Sequence, residues 1–101
     1  MLEITLDQCI IYSAKEGEMA GLNSEVKRKQ SHYHVQTEDK GQKVHYVESV
    51  IFKSGKILSS RKSFYASLIN YPDIKQKIQQ IIEKQHRECL EDISKGKFDH
   101  L

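Results

Sequence analysis

The sequence contains no tryptophan, a single proline and only two cysteines, and no apolar run in it approaches the ~20 residues that a membrane-spanning helix needs. Each shortage excludes something. Cys9 and Cys89 allow one long-range bridge, not the dense disulfide framework of small secreted domains. The amino end, Met1-Leu2-Glu3-Ile4, has neither a basic segment nor an apolar core, so no secretory leader is expected there. Charge of one sign is also missing, since sixteen Lys and Arg stand against fourteen Asp and Glu. Nucleic-acid-binding domains draw affinity from phosphate neutralisation and usually carry a larger basic excess. The balance weighs against that class while leaving room for a local basic patch. The expected setting is the reduced cytoplasm, without a cofactor and without a membrane span.

What remains is globular. At 101 residues, 38% of them hydrophobic and 30% charged, the chain suits one domain with a modest core, to whose stability a partner or a homodimer could contribute. Residues 1–20 read as an N-terminal extension. Its apolar positions Leu2, Ile4, Leu6, Cys9 and Ile10 fit a strand or a short helix, and a polar linker with two glycines follows. Residues 21–101 read as a single domain. Leu22 to Lys29 predicts a strand, and His32 to Glu38 alternates Tyr33, Val35 and Thr37 against His32, His34 and Gln36. Lys43 to Lys53, rich in β-branched and aromatic residues on both faces, predicts a central strand, and Lys56 to Tyr65 returns after a Ser54-Gly55 turn. Pro72 and Asp73 then suit the start of a helix. Ile74, Ile78, Ile81, Ile82, Cys89 and Ile93 form its apolar stripe and Gly96 its stop. The fold class expected is α+β: an antiparallel β-meander of about four strands packed against one long C-terminal α-helix.

A series of short motifs runs through this stretch in order. Tyr33-His34-Val35-Gln36-Thr37-Glu38-Asp39 with Gly41 is followed by Val50-Ile51-Phe52, Gly55-Lys56-Ile57, Lys62-Ser63 and Tyr65-Ala66. Glu83-Lys84-Gln85-His86 and Gly96-Lys97-Phe98-Asp99-His100 complete it. Over residues 21–100 the chain resembles a family of small, largely uncharacterised bacterial proteins. The resemblance implies no activity; it implies a regulatory setting such as motility or polarity control.

Four constellations are candidates for function. If Glu38 paired with Lys43, then His32, His34 and His45 would share one sheet face, a workable zinc geometry; against it stands an ordinary polar face and the absence of any ligand-spacing motif. Glu38 and Asp39 are adjacent carboxylates, but neighbours on a strand point to opposite sides, and an aspartate at a turn start commonly bonds its own backbone. Lys53, Lys56, Arg61 and Lys62, near Phe52 and Tyr65, could bind single-stranded nucleic acid, or be the lysines that keep a sheet edge solvated. His34, Gln36, Glu38 and Asp39 together suit recognition of another protein, with Tyr33 and Val35 packed beneath the helix. His86 lies one helical turn before Cys89, but a buried stripe is a poor place for a nucleophile and its base. The expectation is therefore a non-catalytic protein-interaction or regulatory module.

Overall fold

The computed structural model describes residues 8–13, as backbone, together with 21–41 and 43–101. Five antiparallel strands lie side by side in chain order: β1 (Gln8–Ser13), β2 (Gly21–Arg28), β3 (Ser31–Asp39), β4 (Tyr46–Lys53) and β5 (Lys56–Phe64). A short 3-10 turn, Ala66–Leu68, leads to a single helix, α1 (Ile74–Ser94). The α+β meander with its C-terminal helix is thus as expected, and Gln8–Ser13 takes the strand form, pairing with β2 from Gln8↔Lys27 to Ser13↔Leu22. The polar linker expected after Ser13 lies outside the described residues.

Local chemistry explains the turns. Lys29 and Gln30, and again Ser54 and Gly55, all have positive φ. Two such residues in succession make the primed turn whose twist matches that of the flanking strands. The β3–β4 connection is wider. Asp39 pairs with Val47, Lys40 N–H donates to Tyr46 O, and His45 N–H donates to Gly41 O. In β5, Ile51 pairs with Ser59 but Phe52 with Ile57, so Leu58 is a bulged extra residue. The bulge lets Leu58 pack with the core beneath the helix while Ile57 stays on the opposite face.

One face of the sheet carries the helix. The apolar core lies in two clusters. Val26, Tyr33, Val35 and Ile51 meet Cys89, Leu90 and Ile93; Val47 and Tyr65 meet Ile82, with Ile74, Ile78 and Ile81 half-buried around it. The helix begins at Ile74, two residues after Pro72; Asp73 holds the N-cap position without a side-chain capping bond, its carbonyl accepting from Lys77 N–H at 3.0 Å. It ends where Gly96 N–H reaches Ile93 O and Lys97 N–H reaches Asp92 O, the paired bonds of a Schellman motif. Gly96 has φ +80°, and a Cβ there would lie 2.7 Å from Asp99 Oδ2 and 2.9 Å from Arg28 Nη2. Arg28 holds Asp99 through two hydrogen bonds of 3.0 and 2.9 Å, which ties the segment after the helix to β2.

The packing is centred on the second half of the helix. Ile82 is fully buried whereas Ile78 is only half-buried. Ile82→Ala should therefore cost about 2–5 kcal/mol, and Ile78→Ala clearly less. Urea unfolding of both variants checks this, and equal losses would place the centre of packing nearer the start of the helix.

Candidate functional site

On β3 the alternation works as the sequence implies: Tyr33, Val35 and Thr37 are buried under the helix, and His34 and Gln36 face the other way. The two sides of the sheet carry different chemistry.

On the helix side, a polar seam separates the two apolar clusters. His86 places Nε2 2.7 Å from Ser24 Oγ and Nδ1 2.8 Å from Thr37 Oγ1. Thr37 Oγ1 is 2.6 Å from Ser49 Oγ, which accepts from Gln85 Nε2 at 2.9 Å. Ser63 donates to Gln85 Oε1, and Gln85 Nε2 also reaches the carbonyls of Val47 and Arg61 at 3.4 and 3.3 Å. Two directions of donation satisfy the row: Gln85 to Ser49, Ser49 to Thr37, Thr37 to Nδ1 and Nε2–H to Ser24, or Ser24 to Nε2, Nδ1–H to Thr37 and Thr37 to Ser49, which accepts from Gln85 in both. Among the described residues, no buried side-chain polar atom lacks a partner.

Ser24 beside His86 has the separation of a nucleophile and its base, but Ser24 is 0% exposed and His86 2%, so no substrate reaches them. Burial, with a smaller push from the His34 charge, also holds the imidazole down at about 4, so it is neutral. Cys89 is buried, its thiol pushed up chiefly by that burial. The seam is architecture. Gln85 and His86 were legible in principle, since they stand three and four residues after Ile82, on the buried stripe.

The outer side is uncovered by any other described element. Directly paired residues share a face, and give four rows across β2 to β5. Tyr46 pairs with Phe64, their rings 5.2 Å apart. Glu38, Glu48 and Lys62 form the next row, and Lys62 Nζ lies 4.7 Å from the Tyr46 ring centre. Asn23, Gln36, Val50 and Ser60 follow. The last row is Glu25, His34, Phe52 and Ile57, with the His34 and Phe52 rings edge to face at 5.9 Å. Glu25, His32, His34, Gln36, Phe52 and Ser54 border a shallow, open depression of about 520 Å³. Phe64 and Ile57 are 68% and 67% exposed.

Against this layout the recognition set divides. His34, Gln36 and Glu38 lie on the outer face, and Glu38 Oε1 accepts from Lys40 Nζ at 3.2 Å. Asp39 lies on the helix side and is engaged there. Its Oδ1 accepts from Gly41 N–H at 3.0 Å and from the Tyr65 hydroxyl at 2.5 Å, and burial together with this bond pushes the Tyr65 phenol well above its ordinary value. The three histidines do not converge. Glu38 pairs with Glu48 and not with Lys43, so His45 falls in the β3–β4 connection, at φ +57° and with its ring against Tyr65 at 5.8 Å. Among the described residues no group of three or more His, Cys, Asp or Glu is placed to hold a metal ion.

The basic set is dispersed as well. Lys53 donates to the carbonyls of Phe98 and Leu101, both at 2.9 Å. Arg61 is ion-paired with Asp92 on the helix side. Burial opposes ionisation of Asp92, but Arg61 and Lys97 outweigh it and hold the carboxyl below its usual range. Lys56 stands at the hairpin and only Lys62 faces outward over an aromatic ring. No described helix is long and apolar enough to cross a membrane. No protein-family model, curated protein or solved structure matches the chain.

Two outcomes test the seam. Thr37→Val keeps the shape but strands Ser49 and His86 Nδ1, and should cost about 1–3 kcal/mol in denaturant unfolding. An unfolded chain takes up a proton at His86 below its ordinary 6.5, the folded one only below about 4. Stability should therefore fall as pH drops through that window, by ~3 kcal/mol at most from this group. Unfolding at pH 7 and pH 5 should show a larger loss in the wild type than in His86→Gln.

Proposed function

We propose that the protein is a non-catalytic module that binds another protein through the outer face of its sheet, in a regulatory role within the bacterial cytoplasm. The observation that supports this reading is the uncovered face itself. Glu25, His34, Gln36 and Phe52 border a depression on rigid, paired strands, while the buried hydroxyls and imidazole on the other side are used up in holding the helix. A depression with an aromatic wall, an amide and a carboxylate offers a partner one apolar contact and several directional ones, the mixture found where proteins recognise proteins. Held on β3, His34 and Gln36 lose little further freedom on binding.

The test is capture of a partner from the host lysate, its identification, and calorimetry with the purified pair. His34→Ala combined with Gln36→Ala should weaken binding by more than ~1 kcal/mol. The thermal unfolding of the variant should shift little, since substitutions at partly exposed strand positions away from special features usually change stability by ~0.5 kcal/mol or less. Unweakened binding by a folded double variant would remove this face as the recognition surface.

A further inference from the structure

The half of the outer face built by β4 and β5 differs from the half that carries His34 and Gln36. It presents Tyr46, Val50 and Phe52 from β4 beside Phe64 and Ile57 from β5, with Glu48 and Lys62 as a cross-strand pair among them. Apolar and aromatic side chains at both ends of two paired strands, with an opposite-charge pair between them, are what an interface presents, and two of them are two-thirds exposed. Extension of the sheet past β5 is a poorer way to cover it. The edge carries Lys56 and Lys62 and is bent by the bulge at Leu58, both devices that discourage a further strand.

This half of the face is complementary to itself. Stacked sheets pack face to face about 10 Å apart with their strands roughly aligned. A two-fold axis running along the β4–β5 seam, between two copies, lays β4 of each over β5 of the other and keeps every row in place. Tyr46 then faces Phe64 of the other copy, Phe52 faces Ile57, Val50 faces Ser60, and Glu48 faces Lys62, each pair occurring twice. Such an isologous arrangement matches opposite charge to opposite charge without any second kind of surface.

We propose that the β4–β5 half of the outer face is a homodimer interface, with Glu48 of each copy set against Lys62 of the other. The proposal rests on reading the outer face as an interaction surface, but it centres on a different half of it, with Phe52 common to both. β3 lies beyond the edge of the opposing β5, so His34 and Gln36 stay open at the rim. Two strands per copy bury less than the roughly 800 Å² per partner of a standard interface, so the association is weak and concentration-dependent.

Sedimentation velocity of the intact chain at concentrations from ~10 µM to ~1 mM, a range chosen for a sub-standard interface, tests it. The wild type should pass from one copy to two across that range. Lys62→Glu and Glu48→Lys should each stay single, because each sets like charges together twice. An equal mixture of those two variants should recover the two-copy species, since Glu48 of one then meets Lys62 of the other and the exchanged pair also matches. Phe64→Ser, at an exposed position, should weaken association at least tenfold with unchanged circular dichroism. A wild type that remains single or grows past two copies overturns the proposal. So does a mixture that stays single, or a Lys62→Glu chain that pairs as the wild type does. None of these results bears on partner binding through His34 and Gln36, whose failure would show in calorimetry alone.

Discussion

The structure depends on the hydrogen-bonded seam that Gln85 and His86 make with Ser24, Thr37, Ser49 and Ser63. A sheet and a helix with only apolar side chains between them can slide, because dispersion contacts tolerate many registers. Here the helix crosses the sheet with an apolar cluster on each side of a polar row, and any shift along its axis would leave hydroxyls, an imidazole and an amide without partners in a dry interior. An unpaired buried polar group is costly, so the seam contributes more to specificity of position than to net stability. The Schellman bonds at Gly96 and the Arg28–Asp99 pair fix the far end of the same helix, and Tyr65 with Asp39 fixes the β3–β4 connection near its start.

With the helix side committed in this way, the outer side of the sheet is left open. The distribution of charge follows. Arg61 and Lys53, which the sequence alone would leave among solvated basic residues, are drawn to the helix side by Asp92 and by the carbonyls after the helix. What stays outward is nearly balanced: Glu25, Glu38 and Glu48 against Lys27 and Lys62, with aromatic rings and histidines between.

The β-meander and the helix were legible because their signals are local and periodic. Alternation in Tyr33, Val35 and Thr37 set the faces of β3, and the spacing of Ile74 to Ile93 set the stripe of the helix. The histidine cluster failed for one reason. Pairing Glu38 with Lys43 requires a short turn after Glu38, whereas Asp39, bonded to Gly41 N–H and Tyr65, opens a wider connection in which Glu38 pairs with Glu48. Turn length is set by such side-chain bonds to residues far along the chain, and these are invisible to a window of ten residues. A change of five positions is odd, so it also exchanges which face each β4 residue occupies.

The antiparallel order of β2 to β5, the single helix, its stop at Gly96 and the outward placement of His34 and Gln36 were determined by the sequence alone, since each follows from side-chain period or backbone preference over a few residues. Tertiary structure decided which hydroxyls Gln85 and His86 meet, that Asp39 and Arg61 are engaged on the helix side, and that Glu48 stands beside Lys62 among aromatic rings on an open face. Those outcomes turn on which distant groups share a burial site. Polar residues are ambiguous in one dimension because water satisfies them as well as a partner does, and only packing removes the water.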